Sequence, residues 1–270
     1  MKRLLFLFAA LPFLGYGQSF TKIDPSVTGY TQGVHSPTQT MKTQDGHIWF
    51  NSNVASRYRL YEYDGSTYTY HGQYYDSTVS ANRDIDAIRF AQGKDGTIYT
   101  SGGQYYKNGV WRKSPFQQYY FAQSQDSSTL YFNKNNDSIF ALTNGIMAGY
   151  DIALDQVPGI AGMFSGASYK DAVADNQGNL FFATQDTGVI KINVPTGAIT
   201  YMPIYYKGVF MADARALHLA SNGHLYVGSG GSYMAYHNGT DWKVLVNMQP
   251  WDYGMGRIDD FAEDDHGNVW

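Results

Sequence analysis

The chain has 270 residues, with no cysteine, 29 glycines and 24 tyrosines, and its formal net charge at pH 7 is −4. The absence of cysteine excludes disulfide bonds and a lipid-anchored cysteine, so the core must be stable without covalent links, which is feasible at this length. A mild negative charge with no basic stripe argues against a nucleic-acid partner and against binding to an anionic membrane. Of the 23 acidic residues only Glu62 and Glu263 are glutamates, and this excess of aspartate indicates many tight turns rather than helices.

The beginning of the chain has the pattern of a signal peptide. Lys2 and Arg3 form a basic start, and residues 4–14 form an apolar stretch that is too short to span a membrane well. Gly15 and Gly17 are the small residues expected before a cleavage site. We therefore predict a signal peptide over residues 1–17 and an exported product over residues 18–270 that is periplasmic, on the cell surface or secreted, with no insertion of the mature segment into the membrane.

A short phrase of turn residues followed by an aliphatic and an aromatic residue recurs six times. The first copy reads Asp-Gly-His-Ile-Trp-Phe over residues 45–50. The third copy, over residues 127–132, is looser because Ser128 stands in place of the turn glycine. The aliphatic residues of the six copies stand at positions 48, 98, 130, 180, 225 and 269. A period of about 40–50 residues marks a repeat architecture.

Each phrase combines a hairpin turn with a strand that is apolar on both faces. Asp-Gly, Asn-Gly and His-Gly pairs place a residue that tolerates positive φ in a tight turn. The apolar run that follows lacks the alternation of a strand with one wet face. Propeller blades, which stack on both sides and contain four strands in about 40–50 residues, account for this pattern. A β-sandwich is the alternative, but it gives no reason for repetition at blade length.

The fourth copy shows the four strands of one blade most clearly. We predict strands over residues 171–174, 179–184, 188–194 and 198–202, with a hairpin at 195–197 between the last two. The same outer hairpin is predicted at Asp64-Gly65, Asn108-Gly109 and Asn238-Gly239 in other units. No stretch of the mature chain has convincing helical periodicity. The predicted fold is all-β: a β-propeller of four-stranded blades, with five complete repeats and the start of a sixth.

The sixth phrase reaches only its aromatic residue, Trp270, where the sequence ends. A propeller needs a closed ring, because an open sheet leaves its edges exposed. We therefore expect the N-terminal part of a longer protein, with an incomplete ring and further domains downstream. The alternative is that the short sixth piece completes an earlier blade.

Two of the phrases resemble the two-component regulator propeller repeat. That repeat has an acidic residue, a Gly turn, an aliphatic, an aromatic and, further on, a Gly followed by an aliphatic. Residues 179–184 followed by 187–191 resemble its later part, and residues 263–270 resemble its beginning. The resemblance extends over most of residues 38–270, although Tyr or Phe replaces Trp in four of the six copies. It implies an extracytoplasmic propeller of a bacterial sensor or of a secretion-associated surface protein, and it transfers no catalytic motif.

The connections between blades are the longest irregular stretches, at residues 71–84, 114–120, 151–170, 203–213 and 247–257. Loops on a rigid frame carry function, and aromatic residues in these loops are suited to binding a glycan, a peptide or a protein partner. The candidates at the channel mouth are Tyr74, Tyr205, Trp251 and Tyr253. The alternative is that these residues cap the edges of neighbouring blades.

Charged residues recur at two fixed distances before the turn glycine. Those ten residues before it are Asp86, Asp213 and Arg257, and those eight residues before it are Lys170, Arg215 and Asp259. Both registers bring mixed charges to the channel mouth. There the charges bind a polar ligand or, in the alternative reading, form a ring of ion pairs around water.

No catalytic residue, metal site or cofactor is predicted. The seven histidines are scattered without metal-ligand spacing, and the chain has no P-loop, no Gly-x-Ser-x-Gly elbow and no cysteine nucleophile. We therefore predict a non-enzymatic recognition or scaffold module. The alternative comes from residues 46–50, Gly-His-Ile-Trp-Phe, which also resemble the repeat of streptogramin-lyase-type propellers. That resemblance implies an enzyme that uses His, Glu and a divalent metal ion.

Overall fold

Five four-stranded antiparallel sheets form the blades of a β-propeller. The structure is a computed structural model, and it describes residues 39–54, 57–76, 80–85, 87, 89–114, 119–134, 138–157, 160, 171–230, 233–247, 258 and 260–270. The predicted signal peptide, residues 1–17, lies outside the described residues. The all-β prediction is confirmed, and a single 3-10 turn, Leu154–Gln156, is the only helical element of the described part.

The strands follow one another from the inner edge of each blade to its outer edge. Blade 1 contains β1 (Thr40–Lys42), β2 (Ile48–Val54), β3 (Arg57–Tyr63) and β4 (Tyr68–His71), and a hairpin of β5 (Gln73–Asp76) and β6 (Ala81–Asp84) follows it. Blade 2 contains β7 (Phe90–Gln92), β8 (Ile98–Thr100), β9 (Gln104–Lys107) and β10 (Val110–Lys113). Blade 3 contains β11 (Tyr119–Gln123), β12 (Thr129–Lys134), β13 (Ser138–Thr143) and β14 (Ile146–Tyr150).

The last two blades are built in the same way. Blade 4 contains β15 (Asp171–Ala174), β16 (Asn179–Thr184), β17 (Gly188–Asn193) and β18 (Ala198–Met202), and a hairpin of β19 (Tyr205–Tyr206) and β20 (Val209–Phe210) follows it. Blade 5 contains β21 (Ala214–Leu219), β22 (Leu225–Ser229), β23 (Tyr233–His237) and β24 (Trp242–Asn247). The predicted strands of blade 4 are confirmed, except that the third ends at Asn193 instead of residue 194.

Two connections that we predicted as irregular loops contain these small hairpins. The stretch 71–84 includes β5 and β6, and the stretch 203–213 includes β19 and β20. The second hairpin turns at Lys207 and Gly208, whose φ angles are 50° and 80°. Two left-handed residues in a two-residue loop make a type I′ turn, whose twist suits a hairpin. The prediction missed it because lysine is an unusual residue at the first of these positions.

The repeated phrase forms the turn between the first two strands of each blade. In the first copy Gly46 has a φ of 87° and its N–H donates to the Thr43 carbonyl. This is a three-residue loop that ends in a left-handed residue. In the third copy the left-handed residue is Ser127, at a φ of 58°, and not Ser128 as the alignment of the phrases predicted. The Ser124 N–H donates to the Thr129 carbonyl, so this loop is one residue longer than the others.

Both faces of the central strands are buried, as their apolar runs predicted. All six residues of β16 are buried. Leu180 and Phe182 pack in the cluster shared with blade 3, whereas Phe181 and Ala183 pack in the cluster shared with blade 5. Because successive residues of a strand point to opposite faces, one strand serves two interfaces. Two further clusters join blade 1 to blade 2 and blade 2 to blade 3, so the core lies between the blades.

The sixth phrase packs against the face of blade 5 that points away from blade 4. The Ile258 N–H donates to the Ser229 carbonyl at 3.0 Å, and the Phe261 ring lies 6.2 Å from the Tyr226 ring. The backbones of Ala262 and Trp270 exchange two hydrogen bonds across the Asp264–Gly267 turn. Residues 258 and 260–270 therefore begin a further strand pair in the same arrangement as the preceding blades.

Candidate functional site

The inner strands surround a central channel of about 520 Å³. Five of the six repeats contribute the same position to the channel lining. This position lies seven residues before the turn glycine, or before Ser128, which replaces that glycine in the third repeat. These residues are Gln39, Arg89, Phe121, Asp171 and Asp260. Charged residues recur at positions eight and ten, whereas position seven mixes amide, aromatic and charged residues, so this register was not predicted from the sequence. The fixed spacing from the turn was the available signal.

Arg89 and Asp171 form an ion pair inside the channel. The Arg89 Nη2 lies 3.0 Å from the Asp171 Oδ1, and both side chains are largely buried. Asp171 also accepts the N–H of Ala172 at Oδ1 and the N–H of Leu217 at Oδ2. Three donors therefore converge on one carboxylate and join β15 of blade 4 to blade 2 on one side and blade 5 on the other.

Burial has the largest effect on the pKa of Asp171. Removal of the carboxylate from water raises the pKa of Asp171 to about 6, although Arg89 and the two backbone N–H groups act in the opposite direction. The nearby Asp260 carboxylate adds to the increase. A buried ion pair whose partner does not fully offset desolvation is common in proteins. Asp171 therefore changes charge close to neutral pH.

Two glutamine side chains join neighbouring inner strands at the channel wall. Gln39 donates to the Phe90 carbonyl at 3.0 Å and accepts the Phe90 N–H at 2.9 Å. Gln123 donates to the Gln92 carbonyl at 2.8 Å. An amide that satisfies both the donor and the acceptor of a neighbouring backbone holds two blades in register. The polar groups of the channel are thus used largely to hold the blades together.

Alternating strand directions give the propeller two distinct faces. The repeated phrases and the outer hairpins lie at one face, which we call the turn face. The loops between second and third strands and the connections between blades lie at the other, which we call the connection face. Of the predicted binding residues, Tyr74, Tyr205, Asp213 and Arg215 are among the described residues, and they lie in or next to connections between blades at the connection face.

A cavity of about 540 Å³ opens at the turn face. His218 Nε2 lies 3.3 Å from Glu263 Oε2, and the same carboxylate accepts the backbone N–H and the hydroxyl of Ser221. Burial opposes the charge of Glu263, but the hydrogen bonds from Ser221 and His218 outweigh it and lower the pKa of Glu263. The sequence analysis missed this contact because His218 and Glu263 belong to different repeats.

At the connection face, Asp213 and Arg215 pair with each other. Arg215 Nε lies 3.1 Å from Asp213 Oδ1, and Asp213 Oδ2 accepts the Gly230 N–H at 3.2 Å. The Asp213 N–H donates to the Gln185 carbonyl, so the backbone of this residue is also fixed. Of the other predicted site residues, Asp86, Lys170, Arg257, Asp259, Trp251 and Tyr253 lie outside the described residues. Tyr74 lies on β5, opposite Arg83.

The hairpin of β19 and β20 presents apolar side chains to solvent just before Asp213. Tyr205 is 58% exposed, Val209 is 63% exposed and Phe210 is 39% exposed. The Tyr205 and Phe210 rings lie 5.6 Å apart on the same face. The base of the hairpin is anchored, because Ile204 and Met211 are buried and the Met211 N–H donates to the Ile204 carbonyl at 2.8 Å. A rigid support thus holds an exposed aromatic surface.

The described residues do not provide the ligands of a metal-dependent lyase. Within that part of the chain no group of three or more His, Cys, Asp or Glu side chains is placed to hold a metal ion. The His218–Glu263 pair contributes two such groups, and Glu62 lies on β3 as predicted. The described donors therefore do not fit a divalent ion. Among the described residues no helix has the length and hydropathy needed to cross a bilayer.

Comparison with known proteins supports the fold and no closer relationship. No protein-family model matches the chain. No curated protein matches it in sequence either. PorZ of Porphyromonas gingivalis, described as a surface component of the type-IX secretion system, matches with a TM-score of 0.60 and 15% identity over 86% of this chain and 38% of its own. Virginiamycin B lyase of Staphylococcus aureus matches with a TM-score of 0.52 and 15% identity over 80% of this chain and 71% of its own.

Extracellular domains of bacterial two-component-system proteins are also among the structural neighbours. One is the domain of BT3049 from Bacteroides thetaiotaomicron, with a TM-score of 0.49 and 10% identity over 88% of this chain and 38% of its own. The chain therefore spans less than two fifths of the length of this domain and of the length of PorZ. At these identities the similarity is one of fold.

Proposed function

We propose that this chain is a non-enzymatic recognition module of an exported bacterial sensor or cell-surface protein, and that it binds a peptide or protein partner through its connection face. The exposed hairpin of β19 and β20 carries the proposal. Its Tyr205 and Phe210 offer apolar area with little conformational freedom, the property that makes aromatic residues the energetic centres of interfaces. Exposed aliphatic Val209 lies on the opposite face of the same hairpin, and its additional apolar area favours a peptide over a glycan.

The polar surroundings of the hairpin suit the same role. Asp213 and Arg215 lie next to it and are held by each other and by Gly230. A polar, ordered border around an apolar centre is the usual organisation of a protein interface. The channel interior is a less suitable binding site, because Arg89, Asp171 and the two glutamines already bond to one another or to the neighbouring backbone. Proteins with similar folds include extracellular and surface components, which supports an exported location.

The test is selection of binders on the immobilised full chain. A displayed library of twelve-residue peptides and a printed glycan array would be screened in parallel. We expect peptides to be selected, and we expect Phe210→Ser to weaken their binding at least about tenfold, which corresponds to about 1.4 kcal/mol. Tyr70→Ser is the matched control, because Tyr70 is a half-exposed aromatic residue on blade 1, outside the hairpin.

Three outcomes would count against the proposal: glycan binding without peptide binding, equal losses in both variants, or no binder from either screen. The enzymatic alternative is tested by incubating the protein with quinupristin, the compound present in the structure of the Staphylococcus aureus lyase, with and without Mg²⁺. Turnover that depends on His218 would replace the binding proposal with an enzyme.

A further inference from the structure

A chain of polar contacts crosses the interface between blades 1 and 2. Glu62 on β3 lies between two imidazole rings: its Oε1 is 2.6 Å from His47 Nδ1, and its Oε2 is 2.9 Å from His71 Nε2. The other ring nitrogen of His71 is 3.1 Å from the indole Nε1 of Trp111, which lies on β10 of blade 2. His71 on β4 is therefore the link between the outer strands of two blades.

The partners of His71 determine its protonation. An indole N–H is only a donor, so His71 Nδ1 must accept and carries no proton. Its proton is then on Nε2 and is donated to Glu62. The His71 ring is buried and stacks on Trp49, with centroids 4.5 Å apart and an angle of 8° between the planes. These contacts therefore fit a neutral His71 whose single ring proton is on Nε2.

The remaining groups around His71 are aromatic or belong to the same network. Tyr106 and Trp111 of blade 2 pack edge-on at centroid distances of 5.2 and 5.7 Å. Glu62 is the charged group that acts on His71, whereas Asp45, Glu62 and Asp64 act on His47. Burial lowers the pKa of His71 in spite of Glu62, and the hydrogen bond to Glu62 raises the pKa of His47.

We propose that the contact between His71 and Trp111 is an acid-sensitive latch between blades 1 and 2. When His71 takes up a proton at Nδ1, two N–H donors face each other and the link to Trp111 is lost. The stacked cluster of Trp49, His71, Tyr106 and Trp111 fills this interface, so a change at one ring disturbs the others. Acid therefore loosens the two outer strands from each other while the inner strands keep their contacts.

The sign of the effect follows from the two histidines separately. The pKa of His71 is lower in the folded protein, so its contribution to stability is present above its unfolded value of about 6.5 and is lost as the pH falls through the folded value. The pKa of His47 is raised, so its contribution is present in acid and is lost as the pH rises. His47 opposes the opening, and His71 causes it.

The experiment is a tryptophan-emission titration of the full chain from pH 8 to pH 4.5. Protonated imidazole quenches an adjacent indole, and two of the five tryptophans, Trp49 and Trp111, contact His71. We expect a reversible change of emission centred below pH 6.5 whose amplitude is markedly smaller in His71→Gln; the contact between His237 and Trp242 accounts for a residual change. Glutamine retains an acceptor for Trp111 and a donor for Glu62 and does not titrate.

His237→Gln is the matched control, because the His237 ring lies 5.1 Å from Trp242 of the same blade. We expect this variant to keep the transition. A transition of undiminished amplitude in His71→Gln, or one that disappears in His237→Gln instead, would overturn the proposal, as would constant emission of the wild type over the whole range.

Hydrogen exchange gives a second test that does not depend on folding of the His71 variant. In the wild type, acid should increase the exchange of amides in 68–71 and 110–113, after correction for the intrinsic pH dependence, and leave 188–202 protected. In Trp111→Phe the imidazole resonance of His71 should titrate at a higher pH than in the wild type, because the opposing donor is gone. An unchanged exchange pattern or an unchanged His71 titration would refute the latch.

Discussion

Replacement of Asp171 by asparagine should remove a large pH dependence from the stability of the protein. Asp171 is buried in the channel, and burial raises its pKa to about 6 in the folded chain from its ordinary value of 3.8. The folded state therefore binds this proton more tightly than the unfolded state does. The free energy of unfolding of the wild type should fall as the pH rises from about 4 to about 6 and then change no further on account of this group.

The size of the effect follows from the difference between the two pKa values. One pKa unit corresponds to 1.36 kcal/mol, so a difference of about two units amounts to about 3 kcal/mol. An amide does not titrate, so Asp171→Asn should lack this decline. Its absolute stability is a separate matter, because asparagine offers one oxygen where the carboxylate accepts from Arg89, Ala172 and Leu217. The prediction therefore concerns the difference between variant and wild type as a function of pH.

Urea denaturation at pH 4, 5, 6 and 7 measures this difference. Between pH 4 and pH 7 we expect it to move by about 2–3 kcal/mol in favour of Asp171→Asn. Asp95→Asn is the control, because Asp95 pairs with Lys107 at the surface and its pKa is lowered; it should keep the wild-type decline. A difference that stays constant across the range, or that moves against the asparagine variant, would refute the reasoning.

Two further predictions concern packing between blades. Phe182→Ala should reduce the free energy of unfolding by about 3–5 kcal/mol, because Phe182 is fully buried against Phe121 of blade 3; a urea midpoint equal to that of the wild type would contradict this. Gly228→Ala should release residues 258–270 from blade 5, since an added Cβ would lie 2.4 Å from Ile258 Cγ2. Limited proteolysis detects the release, and unchanged protection of the segment would count against it.

The blades were predictable from sequence because local signals agree in each repeat. In blade 4, turn residues stand at the two hairpins and the run from Leu180 to Ala183 is apolar at every position, so strand boundaries and burial on both faces follow without long-range information. The turn at Asn108-Gly109 followed in the same way, and both residues have positive φ. Where the local signal is weak, as at Lys207 and Ser127, the prediction failed.

The candidate site was less predictable because it joins residues from different repeats. His218 and Glu263 are 45 positions apart, and His71 and Trp111 are 40 positions apart. Spacing along one strand or turn does not reveal such contacts; they depend on how one blade lies against the next. The channel register was accessible in principle, since Arg89 and Asp171 stand at the same distance before their turn glycines, but it becomes evident only once the inner strands are placed around an axis.

Among the residues that the structure describes, two hydrogen-bonded links join blades that are not direct neighbours. Arg89 of blade 2 reaches Asp171 of blade 4, and Gln125, which follows β11 of blade 3, donates to the Ala220 carbonyl at the end of β21 in blade 5. In a linear repeat array each unit touches only its neighbours, so the ends can fray while the middle stays folded. Each of blades 2 to 5 is thus bonded to a blade that is not its direct neighbour. We therefore expect these blades to unfold in one cooperative transition instead of gradually from one end.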